Sequence, residues 1–259
     1  MPDTTTAQHP SGLRISFTEF DHRYVDDFSI EYTSTTTLVH NAFVAFDAEK
    51  TAKRIAHKRG TTPEALQDEW ERNRQDSSDR GTRMHQNFEN QIKGNYDLLH
   101  TPRDEQEKIC FRNGWFEIEK IKHAYNKLET EKLIFTPRFK VAGSIDLLAS
   151  NPQKTVIFDY KNLKELKYKA YRNQTGIHPA TMNLPDCNFY HYALQLSIYQ
   201  QILLLENYIH PATHIERWLL VHNKTTGSFT PVFLPFLQYE ATLLLAYNAT
   251  SDGLEYIPF

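Results

Sequence analysis

Residues 143–149 and 155–161 are predicted to form two short β-strands joined by a turn at Asn151 and Pro152, and the second of them alternates between two faces. A third run over 133–139 would complete an antiparallel meander. Successive side chains of a strand point to opposite faces, so one face of the last strand carries Val156, Phe158 and Tyr160, and the other carries Ile157, Asp159 and Lys161. The alternation therefore places a carboxylate and a lysine on the same face of the sheet.

Helical spacing of apolar residues is typical of the regions before and after this meander. Upstream we expect a β-hairpin or two strands over 13–38 with a turn near Asp26, then helices over 40–59, 63–73, 78–93 and 103–128. Downstream we expect an irregular segment over 162–187, a helix over 188–206, strands over 215–222 and 228–234, and a helix over 237–248. The pattern predicts an α/β fold in which helices flank a central mixed sheet that contains the meander.

Composition and charge narrow the class of protein. Of the 259 residues 40% are hydrophobic and 24% are charged, which predicts a folded domain over 1–259: a flexible tail at 1–12, a hairpin and helices at 13–75, and a core at 76–259. No apolar run reaches the ~20 residues that span a bilayer, and the chain does not begin with a secretory segment. We therefore expect a cytoplasmic protein with no membrane partner.

The net charge and the cysteines exclude few classes of protein. A net charge of −3 is not typical of a nucleic-acid-binding protein as a whole, but an acidic metal centre lowers the net charge while local basic patches still contact phosphates. Cys110 and Cys187 are far apart and match no metal-ligand spacing. We expect both to be reduced packing residues rather than a disulfide.

Asp146 lies on the strand before Asp159 and Lys161 and adds a second carboxylate to the meander. Two carboxylates can bind a hard divalent cation, and an adjacent lysine can orient a water molecule or stabilise developing negative charge. Phosphodiester hydrolysis needs this combination. Taken alone, the three residues are also typical of an exposed strand face with a surface ion pair, so the interpretation depends on the rest of the chain.

Two earlier residues are candidates for the same site. His85 lies on a helix that we expect to begin at Gly81, and Glu89 follows one turn later on the same side. A helical histidine is more often a packing residue than a ligand, although imidazole is a good partner in a mixed carboxylate site. Glu131 is expected to begin the first strand of the meander, in an acidic run that is equally typical of solvated charge.

A polar stripe marks the helix that follows the irregular segment. It consists of Asn188, Tyr192, Gln195 and Tyr199 and contains no Lys or Glu, which solvated helix faces normally carry. Such a stripe favours hydrogen bonding inside a cleft, with Gln195 positioning a lysine or a phosphate.

The candidate residues occur in the order Gly81-x3-His85, Glu131, Gly143-x2-Asp146, Asp159-x-Lys161 and Gln195-x3-Tyr199. This order, over roughly 78–200, resembles the RecB-like branch of the PD-(D/E)XK nuclease superfamily. Within that branch it is similar to phage exonucleases and to mitochondrial genome-maintenance exonuclease. The resemblance implies a restriction-endonuclease-like core, and a catalytic set made of Asp146, Asp159, Lys161, Gln195 and Glu131.

A divalent cation is the cofactor that the resemblance implies. It would be Mg²⁺ or Mn²⁺, held by His85, Asp146, Asp159 and the backbone carbonyl of Tyr160. Glu131 or Glu89 would support a second ion, and the sequence leaves both open. Lys161 would orient or activate the attacking water, Gln195 would hold the lysine or the substrate, and Tyr199 would pack beside it. Some members of the branch bind an iron–sulfur cluster through four cysteines; with two cysteines we expect no cluster.

DNA is the implied substrate, as single strands or duplex ends, and the implied activity is a metal-dependent exonuclease in DNA recombination, repair or replication. The alternatives are a structure-specific endonuclease of the same fold, a non-cleaving nucleic-acid-binding module, and a carbohydrate or small-phosphate hydrolase. No phosphate-binding glycine loop is present, so a helicase or recombination partner would be a separate chain. The sequence does not define the oligomeric state.

The segment 163–173, directly after the catalytic strand, is predicted to grip a nucleic-acid strand near a free end. Basic groups neutralise phosphates and aromatic rings stack on unpaired bases. Tyr168 and Tyr171 alternate here with basic residues, although an ordinary solvated surface is an equal alternative. The predicted nucleic-acid contacts are Lys164, Lys167, Lys169 and Arg172 in the segment, Arg80 and Arg83 on the opposite side, and Tyr199.

Overall fold

A mixed β-sheet forms the centre of the protein in the computed structural model, which describes residues 4–251. Its strands within that range are β1 (Thr4–Gln8), β2 (Arg14–Thr18), β3 (Arg23–Asp26), β4 (Glu31–Ser34), β5 (Lys127–Thr136), β6 (Val141–Ser150), β7 (Thr155–Leu163), β8 (Ile215–Asn223) and β9 (Phe229–Phe233). The strand order is β1-β2-β3-β4-β6-β7-β8-β9, and β5 pairs with β6.

Capping residues mark the ends of several helices. They are α1 (Thr35–Asn41), α2 (Ala48–Arg59), α3 (Pro63–Lys93), α4 (Glu105–Ala124), α5 (Asn188–Leu205) and α6 (Gln238–Ser251). Thr62 caps α3 by accepting a hydrogen bond from the amide of Ala65, with Pro63 in the first turn. Gly60 and Gly94 end α2 and α3 in the left-handed conformation, which costs glycine no Cβ clash.

Hydrophobic clusters cover both faces of the sheet. Ile157 of β7 belongs to the cluster formed with α1, α5 and α6, whereas Phe158, the next residue, belongs to the cluster formed with α3 and α4. A strand with both faces buried is typical of a sheet between two helical layers. The predicted fold class, a mixed sheet flanked by helices, is therefore confirmed. Across residues 4–251, no helix combines the length and the apolar character needed to cross a bilayer.

One edge of β6 is paired along its whole length and the other is paired only in part, which leaves an opening in the sheet. One edge pairs with β5 along its whole length, from Lys127↔Ser150 to Thr136↔Val141. The other edge pairs with β4 in parallel at Val141 and Ala142, and with β7 in antiparallel fashion over 147–150. The residues between these two ladders, 143–146, therefore lack a strand partner on that edge, and Asp146 is one of them.

Several predicted boundaries were wrong. The expected tail over 1–12 contains β1, which pairs with β2, while residues 1–3 lie outside the described range. The hairpin region holds three strands, and its end, predicted to be extended, forms α1 over Thr35–Asn41. The helix expected over 40–59 is limited mainly to α2, which begins at Ala48. The helices expected over 63–73 and 78–93 are one continuous helix, so no helix begins at Gly81. The first strand of the meander, β5, begins at Lys127, six residues before its predicted start, and α4 ends at Ala124 rather than at 128. The other two strands of the meander, the irregular segment, α5, β8, β9 and α6 lie within three residues of their predicted bounds.

Candidate active site

Three carboxylates occupy neighbouring positions across β5, β6 and β7. In the β5–β6 ladder Thr130 pairs with Leu147 and Lys132 pairs with Ile145, so the register sets Glu131 opposite Asp146. The β6–β7 ladder ends at Leu147↔Phe158, and one further step of that register sets Asp146 opposite Asp159. The sheet thus aligns acids that are far apart in sequence, at the opening in β6.

The opening in β6 lets the side chain of Asp146 take the place of a strand partner. The backbone amide of Tyr160 donates a hydrogen bond of 2.8 Å to Oδ2 of Asp146. Backbone amides rarely remain unpaired when buried, so this bond fixes the carboxylate while it satisfies the end of β7.

His85 reaches the same carboxylate from α3. Its Nε2 lies 3.1 Å from the carbonyl oxygen of Tyr160, and its Nδ1 lies 3.5 Å from Oδ2 of Asp146. A carbonyl oxygen only accepts hydrogen bonds, so Nε2 is the donor, and the Nδ1 of a neutral ring then presents a lone pair toward the carboxylate. Two electron-pair donors that face each other suit a cation between them.

A cation would find three donor atoms in this place. His85, Glu131 and Asp146 each offer one ligand atom, and all three atoms lie within 4.8 Å of one another. Oxygen and imidazole nitrogen ligands are those that Mg²⁺ and Mn²⁺ accept in proteins. Two of the predicted ligands are thus in this group together with Glu131, and the predicted carbonyl of Tyr160 is adjacent.

The raised pKa values of the buried acids also fit a cation-binding site. Burial raises the pKa of Glu131, and the neighbouring charge of Asp146 raises it further. Burial likewise raises the pKa of Asp159, and the attraction of Lys161 only partly offsets the effect. Carboxylates that resist ionisation beside one another are stabilised in their charged form by a divalent cation. The donor set and the electrostatics therefore fit a Mg²⁺ or Mn²⁺ ion.

Glu131 lies in the middle of β5, not at its beginning as predicted, and its backbone is unusual. Its φ of +44° falls in the left-handed region, although it is flanked by paired strand residues. A non-glycine residue in that region costs about 1–2 kcal/mol. Ser144 donates a hydrogen bond of 3.0 Å to Oε2 of Glu131 and helps to hold it. Ser144 was not predicted, and its position two residues before Asp146 was the available signal.

Asp159 and Lys161 form an ion pair, with Oδ2 of Asp159 2.5 Å from Nζ of Lys161. Asp159 is only 3% exposed, so the alternative of an exposed strand face is excluded. Burial lowers the pKa of Lys161, but the charges of Asp159 and Asp146 outweigh it, and the net pKa is raised. The ring of Tyr192 lies 5.2 Å from Nζ, a cation–π contact. Lys161 is therefore a protonated cation next to the carboxylate row.

Glu89 forms a salt bridge and does not belong to the group of possible metal ligands that contains His85, Glu131 and Asp146. Its Oε1 lies 2.5 Å from Nζ of Lys93, one helical turn away. Of the two acids that the resemblance left open for a further ion, Glu131 is the one placed with His85 and Asp146.

The polar stripe of α5 has a different internal arrangement from the one predicted. Gln195 donates a hydrogen bond of 3.0 Å to the hydroxyl of Tyr199, while Tyr192 is the stripe residue against Lys161. Tyr199 is 3% exposed, and a Cβ atom on Gly143 would lie 2.6 Å from its ring. The ring packs beneath β6, so the contact of Tyr199 with nucleic acid, which stays a prediction, would require this ring to become exposed. Asn188 also belongs to the stripe, and its Oδ1 accepts a hydrogen bond of 2.8 Å from the backbone amide of Lys167 in the irregular segment.

Arg80 and Arg83 were predicted to bind phosphates, and the structure uses both to join α3 to α4. Arg80 forms ion pairs with Asp76 at 2.8 Å and Asp104 at 2.6 Å. Arg83 pairs with Glu107 at 2.9 Å and donates to the carbonyl of Thr101. Both guanidinium groups are largely buried and paired with carboxylates, so the predicted phosphate-binding role does not agree with their position.

The segment 163–173 is exposed, and most of it is irregular. Its four cations, Lys164, Lys167, Lys169 and Arg172, all face solvent, and across residues 4–251 none of them forms an ion pair. Tyr168 and Tyr171 are also exposed, and the guanidinium of Arg172 lies over the ring of Tyr171, 5.2 Å from its centroid. The segment begins directly after β7, so its charges are continuous with Lys161.

No protein-family model matches the chain, and a search of curated proteins gave no match. Among solved structures the chain is similar to a proposed exonuclease from Eubacterium rectale, with a TM-score of 0.42 and 15% identity, covering 85% of this chain and 79% of that one. It is also similar to the protein SSO0001, with a TM-score of 0.29 and 13% identity, covering 64% of this chain and 84% of that one. Both similarities are too low to assign an activity, so the function is argued from the chemistry of the site.

Proposed function

We propose that the protein is a divalent-metal-dependent nuclease of the RecB-like kind that hydrolyses DNA from free ends. The observation that carries this proposal is the row of Glu131, Asp146 and Asp159 across three strands, with His85 beside it and a protonated Lys161 at its end. A cation site next to a fixed cationic side chain is the arrangement that phosphodiester hydrolysis requires.

Each residue has a role that follows from its contacts. His85, Glu131 and Asp146 would hold the ion, with Asp159 and the carbonyl of Tyr160 adjacent. A bound Mg²⁺ or Mn²⁺ would polarise the scissile phosphate and lower the pKa of the attacking water. Asp146 is oriented before any substrate arrives, because the amide of Tyr160 holds its carboxylate.

Lys161 supplies positive charge and hydrogen-bond donors and does not accept a proton. Its raised pKa keeps it an ammonium ion, held against Asp159 and the ring of Tyr192. An ammonium in this position can donate to a phosphate oxygen or to the attacking water as negative charge develops in the transition state. The predicted role of orienting the water is retained in the proposal, whereas a role as general base is not.

Preference for free ends is proposed from the exposed segment 163–173. Its unpaired cations and exposed tyrosines can hold the backbone and the unstacked bases of a strand that leads to Lys161. A strand is more easily threaded along such a segment from an end than entered from its middle.

The deciding experiment uses end-labelled linear single strands and closed circular single strands of DNA with Mg²⁺, Mn²⁺ or EDTA. We expect degradation of the linear strand with either metal, an intact circle, and no reaction in EDTA or with Asp146→Asn. Cutting of the circle would instead support a structure-specific endonuclease. Binding without any cleavage would support a non-cleaving module, and cleavage in EDTA would exclude the metal-dependent mechanism.

A further inference from the structure

Helix α2 has one basic face and one apolar face. Lys50, Lys53, Arg54, His57 and Lys58 recur at intervals of three and four residues, which places them on one side of a helix. All five are exposed. The opposite side carries Ala52, Ala56 and Ile55, of which the two alanines are buried.

The apolar face of α2 is buried against α3, and the two helices form a helical hairpin. Ala52 and Ala56 pack with Leu66 of α3 in a small cluster of their own, flanked by Ile55 and Trp70. Arg59 also pairs with Glu69 of α3, at 3.7 Å. We call α2 and residues 63–76 of α3 the arm. Since the apolar face is covered, the basic face is the surface of α2 that is left for a partner.

Helix α2 carries a positive charge, whereas the chain as a whole has a negative net charge. The chain has a net charge of −3, yet α2 contains five Lys or Arg residues and Glu49 as its one acid. Lys53 is paired with Glu49 and Arg59 with Glu69. Within residues 4–251, Lys50, Arg54 and Lys58 form no ion pair. Three uncompensated cations on one face complement a polyanion.

The basic face is long enough to contact several phosphates of one strand. Lys50 and Lys58 are about 12 Å apart along the helix axis at 1.5 Å per residue. Phosphates of one DNA strand follow one another at about 3.4 Å along the duplex axis, so the face spans about three or four of them. A regular series of small anions is therefore a better match than a single phosphate.

The arm is connected to the candidate active site by α3, which continues without a break from Leu66 to His85. Outside the arm, the carbonyl of Ala42, six residues before α2, accepts hydrogen bonds from the amide of Ile177 and the hydroxyl of Thr181, which follow the basic segment 163–173 by four and eight residues. The relevant distance is that from Leu66 to His85 in α3. That distance is about 28 Å along one helix, which corresponds to about eight phosphates of a DNA strand.

We propose that the basic face of α2 binds the sugar–phosphate backbone of the nucleic-acid substrate about eight nucleotides from the point of cleavage. This inference rests on the proposed nuclease function and adds a second contact that the active site does not need for chemistry. Only substrates long enough to reach from the catalytic row to the arm gain affinity from it. Short substrates are bound and cut by the active site and the segment 163–173 alone.

The test compares wild type with the triple variant Lys50→Ala, Arg54→Ala, Lys58→Ala. The matched control is Lys108→Ala, Arg112→Ala, Lys120→Ala, which removes the same charges from exposed positions of α4. Binding is measured in EDTA across a salt series, on strands of about 30 and about six nucleotides. For the arm variant we expect about tenfold weaker binding of the long strand and a salt slope smaller by about 2, with short-strand affinity unchanged. The control variant should match wild type on both strands.

Two further measurements complete the test: the rate of cleavage, and binding to phosphatidylserine vesicles as an alternative anionic surface. Single-turnover cleavage at saturating long strand with Mg²⁺ should be unchanged in the arm variant. Equal losses in both triple variants, an equal loss on the short strand, or an unchanged salt slope would overturn the proposal. It would also be overturned if wild type bound phosphatidylserine vesicles through the arm more tightly than DNA. If wild type shows arm-dependent binding but never cleaves, the nuclease proposal fails and the arm proposal stands.

Discussion

Lys161 is held as a cation between the carboxylate of Asp159 and the ring of Tyr192. We predict that Lys161→Ala lowers single-turnover cleavage by about 10²–10³, because one donor to developing charge is lost. DNA affinity should change little, since the side chain is mostly buried beside the acids and contributes less to backbone binding than exposed cations do. The measurement is the cleavage rate at saturating DNA, with affinity determined separately in EDTA.

The control for this variant is Lys164→Ala, which removes an exposed lysine three residues further on. It should weaken binding slightly and leave the rate at saturation near that of wild type. Parallel losses of binding and rate in Lys161→Ala, or a rate close to wild type, would contradict the role given to Lys161.

Glu131 gives a pH-dependent prediction for the metal-free protein. Burial and the charge of Asp146 raise its pKa above the ordinary value of 4.5, so the folded state binds the proton more tightly than the unfolded state. The stability from this group is complete below about pH 4.5 and is lost as the pH rises toward the raised pKa. Glu131→Gln cannot ionise, so we expect it to be more stable than wild type at pH 8 by about 1–2 kcal/mol, and to differ less at pH 5.

Glu129 provides the control of opposite sign. Burial alone would raise its pKa, but Lys132 and Lys127 outweigh burial and lower it. Glu129→Gln should therefore be less stable than wild type at pH 8, with no gain between pH 5 and pH 8. Denaturant unfolding in EDTA at both pH values measures these differences. A Glu131→Gln variant that is equally stable relative to wild type at both pH values would argue against the repulsion among the acids.

At the scale of the element, the continuity of α3 decides where His85 lies. Gly81 is in the interior of this helix, and a Cβ atom there would meet nothing within 4 Å. We predict that Gly81→Ala stabilises the protein by about 0.5–1 kcal/mol, because alanine loses less backbone entropy in a helix. The free energy of unfolding from denaturant titration measures the effect.

Gly114 of α4 is the matched helical glycine with the opposite expectation. A Cβ atom there would lie 2.2 Å from the ring of Phe88, at the contact between α3 and α4. Gly114→Ala should be destabilising by about 1–3 kcal/mol, since the core must shift to accept the methyl group. If Gly81→Ala were the destabilising variant of the two, a break in α3 near Gly81 would be indicated.

The irregular segment 163–173 is a second element with a testable role. We predict that replacing Lys167, Lys169 and Arg172 with Ala weakens binding of single-stranded DNA and lowers the salt slope by about 2, at about 0.7 per lost contact. Unlike the arm variant, this variant should lose affinity for short and long strands alike, because the segment adjoins Lys161. An unchanged salt slope would show that these cations are an ordinary solvated surface.

At the scale of the whole molecule, metal binding should appear as stability. A ligand that binds only the folded state adds about 2.7 kcal/mol at a hundred times its dissociation constant. For a protein of this size that is a rise in Tm of about 5–10 °C. We predict such a rise with Mn²⁺ and its loss in Asp146→Asn, while Asp97→Asn, at an exposed position, keeps it. An equal rise in both variants would place the ion outside the carboxylate row.

Local patterns were sufficient for much of the fold. The meander, the ends of α2 and α3 at Gly60 and Gly94, and the pairing of Asp159 with Lys161 follow from alternation, capping and a spacing of two residues. These are short-range effects, in which neighbouring residues restrict one another directly. The same reasoning found Asp146 and His85, although their role as ligands stays a prediction.

Tertiary contacts decided the rest, because they join residues that are distant in the chain. The strand over 4–8 forms only because β2 supplies its hydrogen bonds, and α3 continues through Gly81 because Met84 and Phe88 pack in the core and offset a cost of about 1 kcal/mol. Arg80 binds carboxylates of α3 and α4 where a phosphate contact was predicted. Glu131 joins the carboxylate row because the register of β5 on β6 places it there, and a register is a property of two strands together.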